Sequence, residues 1–421
     1  MKRMTACLAG VAFLVLLAVQ PVAALTLAGN EDLADGTLSG TGAVTIVREA
    51  DGKTYRWADK NGDGNPNDPA SAGLDLASYD LYDYTHPGPG FILDLNNGSI
   101  TWSGGAGGLI RTCPVSYEIF PGPVTITNAA DINIRGFYTQ RYPTGWDPGG
   151  NVTVSQSGSF QAIDILTMGY SDARPSGNVV CTGGGPAAGT FQVVSSIATC
   201  SPHAGSVTIS GYSSVTIGLP GIDAHKEAGG TGLGAVAITN IGAGGVSMSG
   251  ASIWTDDRGG VDNSGTKSDI LIQTLGGVTI SNLIAGANQN EQSRHDAGSV
   301  TLSCAGHVLV QGTIDTRMAA RDEAKQAAGD ISVTSTAGSV TLGSLLASNN
   351  KINGAYRAGN ATITSAQDLK ITGSINLTYG TSTYPNLYGA LNLTSTGPGS
   401  RITVKDLDCS LFRASGWTFN S

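Results

Sequence analysis

The sequence predicts an all-β protein, a right-handed parallel β-helix of about ten coils, each of roughly 30 residues, with an irregular N-terminal cap. Three observations support this fold class. Glycine is abundant, with 60 residues among 421, whereas only 13% of the residues are charged. A small residue followed by an alternating apolar run recurs about every 30 residues along the chain. Within each repeat, the apolar positions also keep a constant spacing.

Each repeat begins at a small residue, usually glycine. Self-similarity at a fixed period indicates stacked units that cannot bury a core alone but share one continuous core. The starting residues are Gly122, Gly150, Gly177, Gly205, Gly234, Ser268, Gly298, Gly329, Gly359 and Gly389.

Three short strands are predicted in each repeat. In the repeat that begins at Gly205, Val207 and Val215 begin the first two apolar pairs, and Ile222 marks the third strand. Apolar residues two positions apart are typical of a strand with one buried face. An antiparallel sandwich would lack the 30-residue repeat, and leucine-rich or ankyrin arrays would show helical periodicity.

Polar segments of variable length follow the third strand. Three of them span residues 255–269, 288–297 and 317–328. Since all leave the repeat at the same corner, we expect them to line one side of the rod, which is often the binding face of a solenoid. The segment 317–328 fits either a short helix, because it is rich in Ala, Glu, Lys and Gln, or a solvated loop.

The sequence divides into three predicted parts. Residues 1–24 resemble a signal peptide, with Lys2 and Arg3 before an apolar stretch and small residues before Leu25. Residues 25–97 follow the repeat poorly and are interpreted as an N-terminal cap with a polar insertion. Residues 98–421 form the predicted β-helix, closed by a C-terminal segment. The expected location is therefore outside the cell, either secreted or at the cell surface.

The cap insertion holds a candidate calcium loop. Its twelve residues from Asp59 resemble the loops of EF-hand and dockerin-type modules. That resemblance implies side-chain ligands at Asp59, Asn61 and Asp63 and a backbone carbonyl ligand at Asn65. An Ala replaces the acidic residue expected at position 12, and no flanking helix is evident. An Asx- and Gly-rich surface turn explains the same residues without a metal.

No catalytic residue is assigned from the sequence. Polysaccharide cleavage commonly uses two carboxylates about 5 to 10 Å apart. Asp256 and Asp257 are adjacent, whereas Asp223 and Asp315 occupy equivalent positions three coils apart, about 14 Å. Of the polygalacturonase motifs, only an Asp-Asp pair is present. We therefore expect these carboxylates to be solvated loop residues.

The histidines are few and scattered along the chain. They are His86, His203, His225, His295 and His307. Pairing of His225 with Asp223 or Glu227, and of His295 with Asp296, is one interpretation. Exposed loop histidines are the simpler expectation.

Five cysteines remain after removal of the predicted signal peptide. An odd number requires at least one unpaired thiol or an intermolecular bond. Cys181 occupies a position that Ile or Leu fills in other repeats, which predicts a buried thiol.

Charge and hydropathy limit the classes of partner. The chain has 23 basic and 32 acidic residues, a net charge of −9. Removal of Lys2 and Arg3 leaves 21 basic residues, so the net charge becomes about −11. Counterion-release binding to nucleic acid is therefore not expected. No second uncharged apolar run is long enough to span a membrane, so no transmembrane anchor is expected in the mature chain.

Two repeats carry a resemblance to known proteins. The units GSVTLSCAGHVLVQGTIDT (298–316) and GNATITSAQDLKITGSINLT (359–378) resemble the passenger regions of bacterial filamentous-haemagglutinin-like adhesins and autotransporters. The resemblance implies a non-enzymatic exported β-helix whose loop-lined face serves adhesion or binds a glycan or cell-surface partner. The alternative is a polysaccharide-active β-helix enzyme, a lyase or glycoside hydrolase, that uses loop carboxylates.

Overall fold

The computed structural model is an all-β, right-handed parallel solenoid, which confirms the predicted fold class. No helix occurs in the described residues. These are residues 25–28, 31–32, 40–41, 45–48, 54–58, 74–82, 90–112, 122–139, 149–169, 175–227, 232–257, 268–287, 296–318, 327–349, 357–378, 388–406 and 417–420.

One sheet contains the first strand of every predicted repeat. All of its neighbouring strands are parallel except β4 (Thr45–Arg48) and β5 (Thr54–Ala58), which are antiparallel. In stacking order the strands are β4 (Thr45–Arg48), β5 (Thr54–Ala58), β8 (Phe91–Asp94), β11 (Val124–Ala129), β14 (Val152–Gln156), β17 (Val179–Thr182), β20 (Val207–Ser210), β23 (Val236–Ile241), β25 (Ile270–Thr274), β27 (Val300–Cys304), β29 (Ile331–Ser335), β31 (Ala361–Ser365), β33 (Leu391–Ser395) and β35 (Trp417–Asn420).

The other sheet contains the second and third strands. The second strands stack as β6 (Leu74–Asp75), β9 (Ile100–Thr101), β12 (Ile132–Asn133), β15 (Phe160–Ala162), β18 (Thr190–Val193), β21 (Ser214–Ile217), β24 (Gly245–Trp254), β26 (Val278–Ile284), β28 (Val308–Asp315), β30 (Val340–Leu346), β32 (Leu369–Asn376) and β34 (Ile402–Asp406). The early third strands are β2 (Glu31–Asp32), β7 (Leu81–Tyr82), β10 (Leu109–Arg111), β13 (Gly136–Tyr138), β16 (Asp164–Leu166), β19 (Ser196–Ala198) and β22 (Gly221–Asp223). Strand β1 (Leu25–Leu27) pairs in parallel with β6 and antiparallel with β3 (Gly40–Thr41).

The corner between the second and third strands changes along the rod. Up to β22 the two strands are separate, as predicted. From β24 onward they form one continuous strand, in which the pairing register shifts at the corner. An irregularity of this kind lets a strand bend without losing its ladder. Glycine permits the close approach there: a Cβ added at Gly343 would lie 1.7 Å from the carbonyl oxygen of Gly312.

Equivalent apolar residues of successive coils stack in register inside the solenoid. Val207 pairs with Val236, and Val236 pairs with Ile270 in the next coil. Each of these side chains is buried. Burial of one such side chain contributes about 1.5 to 3 kcal/mol, so the repeated column is the main source of stability.

The two ends of the chain also join the ladders. Within the predicted cap, β6, β7 and β8 pair in parallel with β9, β10 and β11. At the other end, β34 and β35 pair in parallel with β32 and β33. The C-terminal segment predicted to close the β-helix therefore adds strands that continue the solenoid.

Candidate functional site

Loops after the third strand are closed at their bases by hydrogen bonds in most of the described coils, a feature that we call the loop neck. In six coils a buried threonine just after the third strand donates its hydroxyl to the carbonyl of the small residue that begins the next coil. These pairs are Thr112 with Gly122, Thr139 with Gly150, Thr167 with Gly177, Thr199 with Gly205, Thr255 with Ser268 and Thr316 with Gly329, at 2.5 to 2.7 Å.

A backbone hydrogen bond reinforces the neck. The Gly177 amide donates to the Thr167 carbonyl at 2.9 Å, and the Gly329 amide donates to that of Thr316 at 3.0 Å. Both hydrogen bonds join the start and end of the same loop. Loop length can therefore vary without a change in the coil.

The small residue at the neck is required by backbone stacking. A Cβ added at Gly329 would lie 2.0 Å from the carbonyl oxygen of Gly298, and one at Gly359 would lie 1.9 Å from that of Gly329. Successive necks therefore contact each other backbone to backbone. This contact explains why glycine begins nearly every repeat.

The first residues of successive loops stack on one another and define what we call the loop face. Parallel bridges join Ser201, Lys226, Asp257, Ala287, Met318 and Asn349 in that order. The predicted loops at 255–269, 288–297 and 317–328 therefore begin at one corner, as expected. Residues 258–267, 288–295 and 319–326 lie outside the described residues.

A buried ion pair lies within the loop face. The Lys226 Nζ donates to Asp257 Oδ1 at 3.0 Å, and both side chains are 0% exposed. Asp256 is 7% exposed. The expectation that Asp256 and Asp257 are solvated is therefore wrong, because the bridges between coils draw the start of the loop into the structure.

The next cluster brings together Cys200, Asp223 and His225. One ligand atom from each residue lies within 4.8 Å of the others. The His225 Nδ1 makes a short contact with Asp223 Oδ1, and its Nε2 lies 4.0 Å from Glu227 Oε1. His225 is only 6% exposed, so the expectation of an exposed loop histidine is wrong here. The interpretation that His225 pairs with Asp223 is confirmed.

Coil register explains how Cys200 reaches this histidine. Ser201 bridges Lys226, so the preceding residues Cys200 and His225 occupy equivalent positions in adjacent coils. Cys200 follows the third-strand residue Ile197 by the same interval that separates His225 from Ile222. The cluster was missed because the sequence interpretation considered only chain neighbours as partners of His225; this shared offset could have revealed Cys200.

Met168 extends the same column by one coil. It follows Thr167 as Cys200 follows Thr199, and its Sδ lies 3.5 Å from the Cys200 Sγ. Soft sulfur atoms, an imidazole and a carboxylate are thus concentrated at one place on the loop face.

Asp223 and Asp315 are separated as the sequence predicts. Parallel pairing runs from Asp223 through Trp254 and Ile284 to Asp315, which is three steps. The Asp315 carboxylate binds the Arg317 guanidinium, with a shortest N–O distance of 2.6 Å. That hydrogen bonding raises the pKa of Arg317. Direct cooperation of the two aspartates is therefore excluded by distance.

The two other described histidines, His203 and His307, do not join this cluster. His203 is partly buried and its backbone carbonyl accepts from Ser201 Oγ, whereas His307 is exposed and contacts Ser339. His86 and His295 lie outside the described residues.

Three cysteines are described, and none of these three forms a disulfide. Cys181 lies between Val154 and Ile209 in the core, which confirms the predicted buried thiol. Burial raises the pKa of the Cys181 thiol well above its usual range, and it also raises that of Cys304. Cys113 and Cys409 lie outside the described residues.

The candidate calcium loop is not among the described residues, which omit 59–73. Asp59, Asn61, Asp63 and Asn65 all fall in that segment. Their arrangement as calcium ligands stays a prediction.

A shallow groove of about 570 Å³ lies elsewhere, near the last coils. Asp368 and Lys370 line it together with neutral polar residues and Pro398. These residues come from the segments around the second strands, so this groove does not belong to the loop face.

Comparison with known protein families, with curated proteins and with solved structures found no match to this chain. Fold and site therefore define a class only: a parallel β-solenoid with a stacked loop face. Within the described residues, no helix has the length and apolar character needed to cross a membrane.

Proposed function

We propose that this chain is a non-enzymatic exported protein, secreted or held at the cell surface, which presents its loop face for adhesion or for binding of a glycan or cell-surface partner. One observation carries the proposal. The starting residues of successive loops stack from Ser201 to Asn349, so their variable segments leave at one side of the rod. Stacked loops of different sequence are how solenoids build extended binding surfaces.

The loop necks support the same interpretation. Because Thr255 and Ser268 close the neck of one long loop, residues 258–267 are not needed to complete the coil. Residues that contribute little to the fold are free to vary for recognition.

Burial of the adjacent aspartates weighs against the enzyme alternative. An acid–base pair must reach a glycosidic oxygen or the opposite sugar face. Asp257 is instead fully buried with Lys226.

Binding to a panel of polysaccharides and cell-surface glycans tests the proposal. The test variant replaces residues 258–267 with a Gly-Ser segment of equal length and keeps the Thr255–Ser268 neck. The matched control changes Thr301 and Thr362, outward residues on the first-strand sheet, to Ser. We expect the loop variant to lose binding to at least one glycan and the control to retain it.

Reducing-end and unsaturated-product assays on the same panel distinguish the alternative. Turnover that disappears on substitution of Asp256 or Asp257 in a folded protein would replace the binding proposal with the enzyme. Equal binding by the loop variant and the parent chain would show that this loop is not the recognition element.

We also propose that calcium orders the cap insertion through Asp59, Asn61, Asp63 and Asn65. The support is the spacing of oxygen-bearing residues around a turn glycine. Calorimetric titration with calcium should show binding that Asp59→Ala with Asp63→Ala removes. Absence of both heat and a calcium-dependent rise in Tm would contradict this proposal.

A further inference from the structure

We propose that Cys200, Asp223 and His225 form a binding site for one Zn²⁺ ion at the foot of the loop face. This site is separate in sequence and chemistry from the candidate calcium loop. Its three side chains come from two adjacent coils, so only the folded solenoid brings them together.

The distances fit a single ion. For three atoms no more than 4.8 Å apart, a point exists within about 2.8 Å of all three. Zinc bonds are about 2.3 Å to sulfur and 2.0 to 2.2 Å to nitrogen and oxygen. Shifts of less than 1 Å, within the range of rotamer adjustment, therefore complete the coordination. The hydrogen bond between Asp223 and the His225 ring is exchanged for bonds to the metal.

The ligand atoms form a triangle, which favours a metal over a nucleophilic triad. In a triad the carboxylate and the nucleophile occupy opposite ends of the imidazole and are far apart. Here the ligand atoms of Cys200 and Asp223 lie within 4.8 Å of each other. A common central ion explains that convergence.

The donor set and its charge select zinc. Calcium and magnesium prefer oxygen ligands, whereas a thiolate with an imidazole and a carboxylate suits Zn²⁺. On binding, the Cys200 thiol releases its proton to solvent. The thiolate and the Asp223 carboxylate then neutralise the two charges of the ion, which lowers the cost of its partial burial.

The surrounding residues complete the environment. Glu227 Oε1 lies 4.0 Å from His225 Nε2, close enough to accept a hydrogen bond from the ring after a small movement. Such outer-sphere carboxylates orient ligand histidines. The Met168 thioether sulfur lies 3.5 Å from the Cys200 sulfur.

Metal titration of the full mature chain tests the site. In competition with a chromophoric chelator, the chain should bind one Zn²⁺ ion at this site. Co²⁺ bound there should give a thiolate-to-metal absorption band. Cys200→Ser should abolish the band and lower the affinity for Zn²⁺ by more than the roughly 10- to 100-fold that loss of an outer-sphere partner costs. His225→Gln should lower it similarly.

Matched controls use a cysteine and a histidine outside the cluster. Cys304→Ser and His307→Gln should leave both the cobalt band and the Zn²⁺ affinity unchanged. Circular dichroism establishes whether Cys200→Ser remains folded, and Asp223→Asn provides a second, isosteric test should it not. The site is wrong if the parent chain binds no Zn²⁺ at micromolar concentration, or if Cys200→Ser and Asp223→Asn bind it as the parent does.

Discussion

The Lys226 ammonium and the Asp257 carboxylate lie 3.0 Å apart and are wholly buried, so they tie two successive coils together where the loops begin. Two ions removed from water lose hydration, which their attraction and further hydrogen bonds must offset. Removal of either partner deprives the other buried charge of this ion pair.

Asp257→Asn should therefore lower the free energy of unfolding by about 3 to 5 kcal/mol, whereas joint replacement by Lys226→Met and Asp257→Leu should restore much of that loss. Urea denaturation followed by circular dichroism measures both. The control is the exposed pair of Arg357 and Asp330, where Arg357→Gln should cost less than about 1 kcal/mol. If Asp257→Asn and Arg357→Gln lowered the free energy of unfolding by similar amounts, burial of the Lys226–Asp257 pair would be contradicted.

Thr167 tests the loop neck. Its buried hydroxyl donates to the Gly177 carbonyl at 2.6 Å. Thr167→Val keeps the side-chain volume but removes this hydrogen bond, so we expect a loss of about 1 to 2 kcal/mol in unfolding free energy. Thr208→Val, at an outward position of the first-strand sheet, should change stability by less than about 0.5 kcal/mol. If the two variants are equally stable, the neck hydrogen bond contributes nothing measurable.

Backbone stacking of the small residues that begin the coils leads to a prediction at Gly329. At Gly329 an added methyl group would lie 2.0 Å from a carbonyl oxygen of the coil below. Gly329→Ala should force the two coils apart and lower Tm by several degrees, a cost of about 2 kcal/mol or more. Ser268 occupies the same position in its own coil, so Ser268→Ala is the matched control and should be far milder. A Gly329→Ala protein as stable as this control would refute the close stacking.

Tyr212 carries a buried hydroxyl with no hydrogen-bond partner among the described residues. Its ring packs against Phe191, with centroids 5.2 Å apart. Because an unsatisfied buried hydroxyl costs about 1 to 3 kcal/mol, Tyr212→Phe should raise the stability at pH 7. The contrary result, a stability loss on Tyr212→Phe, would show that the hydroxyl is satisfied.

Alkaline pH should weaken the fold through two buried groups. Burial raises the pKa of both Cys181 and Tyr212 above their ordinary values of about 9 and 10. The folded chain keeps these protons while the unfolded chain loses them. The stabilisation is thus complete below about pH 9 and is lost as the pH rises, by up to about 1.4 kcal/mol per pH unit for each group. Urea denaturation at pH 7 and 10.5 should show a smaller decline for the Cys181→Val, Tyr212→Phe double variant. If the double variant loses as much stability between pH 7 and 10.5 as the parent chain, other residues cause the loss.

The fold is predictable from the sequence because one rule repeats. Each coil must place apolar residues at the same depth, so Val207, Val236 and Ile270 reveal the register by their spacing alone. The predicted calcium residues remain a prediction, since nothing described here bears on residues 59–73.

The candidate site is less predictable, because its residues are neighbours only across coils. Cys200 and His225 share one offset from the third strand, and stacking converts that offset into contact. The expected exposure of Asp257 is wrong for the same reason. Its sequence neighbours are polar, but its burial depends on Lys226 in the adjacent coil.

Every inference about the loop face depends on the parallel register of the coils, which one distance measurement tests most directly. Thr153 and Asn392 lie outward on the first-strand sheet, eight steps apart along the pairings from β14 to β33. At about 4.8 Å per step, their backbones are about 38 Å apart. Spin labels attached there through non-natural amino acids, which leave the native thiols unmodified, allow this distance to be measured by pulsed electron resonance. A narrow distribution centred near 38 Å, widened only by the label arms, is the expected result; a distance below about 25 Å, or no defined distance, would contradict the stacked solenoid.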